Sequence, residues 1–182
     1  MIKKSFLSVS LAAALTCAAA GAWAQGKPDK AAQTFITKAV QGNLAEVSMG
    51  QLAQQQGSRA EVKSFGQQLA ADHSAANQKA TAVATQLGAK PPSEPNKKQM
   101  SDHHKLMKMS GTAFDRQFAT MMVADHKKAI ADYKKAAKMK NDTAAGYATE
   151  SLPVLEKHLQ MAQSLNKAAG KGGGKSGKQP SM

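Results

Sequence analysis

The chain is short of the residues that cross-link small exported domains. Among 182 residues there is one cysteine, Cys17, and one tryptophan, Trp23. A single thiol excludes an internal disulfide, so stability must come from packing or from a bound ligand. β-Branched residues are sparse and no stretch alternates polar and apolar for long, which argues against a sheet. The chain lacks a nucleophile elbow, a phosphate-binding glycine loop and a zinc-hairpin spacing, so serine or cysteine catalysis has no support. Acidic side chains are scarce as well, 12 against 25 lysines and arginines, which leaves a net charge of +13.

The N-terminus carries Lys3 and Lys4, then the apolar run "FLSVSLAAALTCAAAG", then Ala22-Trp23-Ala24. A basic start, an apolar middle and a small-x-small triplet predict a secretory signal peptide over residues 1–24. The run is too short and too rich in Ser and Thr for a membrane span, which needs about 20 apolar residues. Lipoprotein processing at Cys17 is a second alternative, disfavoured by Leu15 and Thr16 upstream. Cleavage would remove Cys17 and Trp23, leave 158 residues and, with Lys3 and Lys4 gone, lower the charge from +13 to +11. The expected location is the periplasm or the outer membrane. A basic protein there meets anionic lipid headgroups or cell-wall polymers rather than nucleic acid. Residues 168–182, "AAGKGGGKSGKQPSM", have nothing to bury, and a disordered lysine-rich tail able to bind such a surface is expected.

Between these ends, residues 25–167 read as one all-α domain dominated by Ala, Gln, Lys and Met. A first helix is expected from the Asp29 cap to Gln56, stopped by Gly57. Ser58 and Glu61 have capping-box spacing and open a second helix reaching Leu87. Pro91, Pro92 and Pro95 interrupt the next interval, where a short helix over Lys97 to Met109 is expected. So long a connection is a crossover rather than a hairpin turn. A third long helix follows over Thr112 to Met139, and a fourth from Asp142 to Lys167 with a kink or false start at Pro153. Four such helices predict a four-helix bundle with a long crossover between helices two and three.

The apolar stripes contain histidines. Helix two presents Val62, Phe65, Leu69, His73, Ala76, Ala80, Val83 and Leu87, and helix three presents Phe114, Phe118, Met122, His126, Ile130 and Tyr133. Helix four presents Leu155, His158, Ala162 and Leu165. His73 stands 16 residues after Gly57, and His126 and His158 stand 16 residues either side of Asp142. Each is therefore roughly 24 Å along its helix from a turn, near mid-height in rods of that length. Glu46 on helix one is only 11 residues from Gly57, about a turn out of level. Asp72 and Asp125 project about 100° from the adjacent histidines and suit orienting a histidine on a neighbouring helix, or ligating directly. Imidazole with carboxylate suits copper, zinc or iron. The alternative is three core histidines, each bonded to an aspartate or a water.

The blocks "GNLAEVSMGQLAQQQGSRAEVKSFGQQLAADH", "FDRQFATMMVADH" and "LPVLEKHLQMA" resemble the bacterial exported domain-of-unknown-function 4142 family. The resemblance covers nearly all of the chain up to the tail. It implies a ferritin-like four-helix bundle of the cell envelope, sometimes described as a predicted outer-membrane protein, and implies no reaction. The positions that match its motif are Glu46, Asp72, His73, Asp125, His126 and His158. Ferritin-like di-iron proteins use Glu-x-x-His. Here Glu46, Glu61, Glu94, Glu150 and Glu156 are followed three residues later by Met49, Ser64, Lys97, Pro153 and Leu159. A mononuclear or histidine-rich site fits better.

A second, weaker candidate lies in the crossover, where Met100, His103, His104 and Met107 have one-face spacing and a donor set suited to copper. Its alternative is a Met-lined patch packing on the bundle. The functional expectation is a metal-binding envelope protein in metal handling or stress. Alternatives are a non-enzymatic surface-binding protein and, less favoured, an oxidase or peroxide scavenger. The reading leans away from catalysis, assigns no catalytic residue, and leaves a homo-oligomer open.

Overall fold

The computed structural model describes residues 29–172, which form five helices and, within that range, no strand. The expected signal peptide and residues 173–182 lie outside it. The helices are α1 Lys30–Gln56, α2 Ala60–Gln86, α3 Lys97–Met107, α4 Gly111–Ala136 and α5 Asp142–Gly172. No helix among the described residues is long and apolar enough to cross a membrane.

Local chemistry sets most of these ends. Asp29 caps α1 by accepting from the Ala31 and Ala32 N–H groups, each at 3.0 Å. The Gly57 N–H closes the helix on the Ala53 carbonyl. The start of α2 differs from the capping box expected of Ser58 and Glu61. The Ser58 N–H, the Ser58 hydroxyl and the Arg59 N–H all donate to the buried carboxylate of Asp115, at 2.9, 2.6 and 3.1 Å. A desolvated acceptor that takes three donors outweighs an exposed local one. Glu61 instead pairs with Arg59 at 3.5 Å. A capping box does form at α3, between Asn96 and Gln99. Helix α5 is unbroken at Pro153 and continues past Lys167 to Gly172.

The Asp115 contact places the start of α4 beside the α1–α2 turn. At the other end, the Gln33 side chain donates to the Leu87 carbonyl at 2.7 Å, placing the end of α2 beside the start of α1. Helices α2 and α4 therefore run the same way, and residues 87–110 return along the length of the bundle with α3 against α1. Helix α1 pairs with α2 and α4 with α5, while α2 meets α5 and α1 meets α4, so α2 and α4 are diagonal. The α1–α2 pair touches backbone to backbone. A Cβ on Gly50 would lie 2.5 Å from the Gly66 carbonyl oxygen, and one on Gly66 2.6 Å from that of Gly50.

The core falls into two apolar clusters. One contains Ile36, Val40, Ala80, Ile130, Tyr133 and Leu155; the other contains Met49, Phe65, Leu69, Phe118, Met122 and Leu165. The stripes expected of α4 and α5 are buried throughout. On α2, Ala84 takes the fully buried position, and Val83, Ala76 and Leu87 lie at its flank. Between the clusters, at mid-height, sits a buried polar layer of Asn43, His73, His126 and His158.

Candidate metal centre

Helices α2, α4 and α5 each bring one histidine into this layer. The ring centroids of His73 and His126 are 5.8 Å apart, those of His73 and His158 5.3 Å, and those of His126 and His158 5.4 Å. One ring nitrogen from each lies within 4.8 Å of the other two.

Each ring is held by a hydrogen bond at one of its nitrogens. His126 Nδ1 donates to the Met122 carbonyl at 2.9 Å, one turn back on its own helix. His158 Nε2 is 2.9 Å from Asp72 Oδ2. Burial pushes the Asp72 carboxyl up, but hydrogen bonds from Gln68 and His158 outweigh it and hold the group below the usual carboxylate range. The carboxylate therefore accepts and His158 Nε2 carries the proton. His73 Nδ1 is 2.9 Å from Asn43 Oδ1. The Asn43 amide nitrogen donates to the Tyr147 hydroxyl at 3.0 Å, so its oxygen faces the ring and Nδ1 donates.

These three bonds fix three tautomers. They leave lone pairs on His73 Nε2, His126 Nε2 and His158 Nδ1, all buried and without a partner among the described residues. Burial also keeps the rings neutral. It pushes His73 well below its ordinary value, aided by His126 and His158, and pushes His126 down to about 4, aided by His158. His158 is lowered by burial too, against the pull of Asp72. A water molecule has two protons for three acceptors, whereas a metal ion with three open positions satisfies all of them. Nitrogens about 2.1 Å from a tetrahedral ion stand roughly 3.4 Å apart, and ring nitrogens already lie within 4.8 Å of one another, so the rings would close in by up to about 1.4 Å around an ion.

Residues 17–165 match the family described as Domain of unknown function (DUF4142). The chain belongs to that family. No curated protein matches the sequence. Two solved structures share the fold of this DUF4142 chain. One is a DUF305 fragment from Deinococcus radiodurans, with TM-score 0.64 and 13% identity over 77% of this chain and 95% of that one. The other is a dodecameric thioferritin, the bacterioferritin-related protein from Bacteroides fragilis, with TM-score 0.63 and 19% identity over 79% and 89%. At such identities the likeness shows the fold alone, and that fold is ferritin-like.

The sequence-derived site residues divide three ways in the DUF4142 bundle. His73, His126 and His158 converge, and Asp72 orients a histidine on the neighbouring helix α5. Glu46 is not part of the three-histidine group among the described residues. Its Oε2 is buried without a partner among the described residues, and burial, with the nearby charge of Asp125, raises the carboxyl to about 8. The height of Glu46 is the one expected from helical rise, about a turn from the histidine level. Asp125 makes no hydrogen bond to a histidine among the described residues. Burial raises its carboxyl, against the pull of Lys98.

Asn43 occupies the place on α1 that Glu46 does not. Its signal was present in the sequence: it follows Ile36 and Val40 on the apolar stripe, and it stands 14 residues before Gly57, closer to the level of His73 than Glu46 is. The crossover candidate splits. Met100 and His103 are half-buried, and His103 is lowered by burial and by His104 beside it. His104 and Met107 are exposed, because α3 turns Leu106 rather than Met107 into the core.

Proposed function

We propose that this DUF4142 protein is an exported metal-binding bundle that holds one transition-metal ion between His73, His126 and His158. The observation that carries it is the convergence of three buried imidazole lone pairs, each ring locked from behind by Asn43, Met122 or Asp72. Three nitrogens leave a fourth position open, and copper, zinc and iron all accept such ligands. A bound ion there would supply Lewis acidity or, for copper or iron, redox chemistry. The protein's own part is to keep the rings neutral, oriented and dry. Metal handling or envelope stress is the role this suits.

Metal analysis of protein purified without a histidine tag tests the reading, with His126→Ala in parallel. About one equivalent of metal in the wild type, with a rise in thermal stability on metal addition that the variant loses, is the expected result. Background metal and no thermal shift in both would reject it.

A second reading concerns the envelope surface. The net charge of +11 that cleavage would leave (+13 less Lys3 and Lys4), with Lys171, Lys175 and Lys178 near the C-terminus, favours salt-sensitive binding to anionic lipid or cell-wall polymer. Sedimentation with anionic vesicles, with and without residues 168–182, measures it; binding indifferent to the deletion would reject the tail's part. The dodecamer named for the thioferritin makes self-assembly of this chain a matter for light scattering in the same preparation.

A further inference from the structure

We propose that the cleft between α2 and α5 is the route by which a metal cation reaches the histidine layer, with Glu150 and Asp72 as successive carboxylate partners and the Lys79–Glu150 pair as its gate. This inference rests on the metal-binding reading above.

The three inward nitrogens are sealed from solvent, so an arriving cation must pass a wall. His158 and His126 are 0% and 1% exposed, whereas His73 is 5% exposed and forms part of the wall of a cleft of about 190 Å³. Asn43, Asp72 and His73 lie at its inner end, and Lys79, Glu150 and Val154 at exposed positions on the two helices. At on the order of 30 Å³ per water, the space admits a cation with several of its waters. His73 and Asn43, hydrogen-bonded to each other at 2.9 Å, belong both to the wall of the cleft and to the layer.

The charges suit a cation. Glu150 is exposed, while Asp72, 29% exposed at its side chain, reaches from the cleft to the layer through its bond to His158. Lys79 holds Glu150 at 3.3 Å across the α2–α5 seam. An exposed pair of this kind contributes about 0–1 kcal/mol, so it opens readily and frees the carboxylate. A second cleft on the same seam, lined by Arg59, Ser64 and Met161 among others, includes no histidine and serves as the control.

The test is stopped-flow uptake of cobalt(II) by the full chain, read from its ligand-field absorbance, alongside equilibrium titration. Ala75→Trp fills the cleft and Glu150→Lys reverses the charge at its mouth. The expected result is unchanged equilibrium affinity with association slowed about tenfold by Ala75→Trp and about threefold by Glu150→Lys, the latter effect disappearing at high salt. Ser64→Trp in the control cleft should leave the rate unchanged. Wild-type rates in both cleft variants, with affinity intact, would overturn the route while leaving the metal site standing. If Ala75→Trp fails to fold, Glu150→Lys decides alone. Absence of any cobalt signal in the wild type would overturn the metal site and the route together.

Discussion

Asn43 decides which nitrogen of His73 faces inward. Its amide is itself held by Tyr147, so the ring is oriented through two hydrogen bonds running from α2 through α1 to α5. Outer partners of this kind change metal affinity by about 10–100-fold when removed. Asn43→Ala should therefore weaken binding by that factor in a competition titration while the ligands remain; unchanged affinity would remove the orienting role. The pH dependence of the metal-free protein also belongs to single residues. His126 titrates near 4 in the fold against 6.5 in an open chain, so below 6.5 the unfolded chain takes up a proton that the fold refuses. Its contribution to stability is present above pH 6.5 and is lost as the pH falls toward 4, on the order of 3 kcal/mol, and His73 and His158 act in the same sense. Glu46 acts oppositely. Raised from 4.5 to about 8, it keeps a proton that the unfolded chain releases, so its contribution fades as pH rises through that window. Glu46→Gln removes the opposing contribution, and urea unfolding of the variant between pH 6.5 and 4 should show a steeper loss than in the wild type. A parallel or shallower loss would contradict the assignment.

At the scale of the helices, the glycines of α1 separate two effects. Ala is favoured over Gly within a helix by about 1 kcal/mol. At Gly42 nothing among the described residues lies within 4 Å of the added methyl, so Gly42→Ala should stabilise by roughly 0.5–1 kcal/mol. At Gly50 the methyl meets the Gly66 carbonyl oxygen at 2.5 Å and the Ala70 nitrogen at 2.8 Å, backbone atoms that cannot swing aside. Gly50→Ala should destabilise by about 1–3 kcal/mol despite the better helix former. Chemical denaturation of the pair checks the opposite signs. The helices themselves were legible in the sequence because local chemistry sets them: Asp29 and Gly57 bound α1, and the stripes of α4 and α5 are the buried faces. The start of α2 was not legible, since its cap, Asp115, comes from 57 positions away in the chain. The Gly50–Gly66 contact is equally long-range, and neither glycine has a neighbour in sequence that announces it.

For the whole molecule, the histidine layer is what divides one core into two. Apolar clusters lie above and below it, and three imidazoles occupy space that aliphatic side chains would otherwise fill. Burying polar atoms without partners opposes folding, so the layer is a cost to the metal-free protein that a bound ion would offset. The level of the three histidines was legible because helical rise converts equal spacing from a turn into equal height. Which residue of α1 faced them was not, because one turn of rise and the rotation of the helix together selected Asn43 over Glu46. The most direct measurement is anomalous diffraction at the zinc edge from crystals grown with zinc(II). The prediction is one peak bonded, at about 2.0–2.1 Å, to His73 Nε2, His126 Nε2 and His158 Nδ1. A map with no peak between those rings, or with zinc only at surface groups such as His104, would contradict the metal centre.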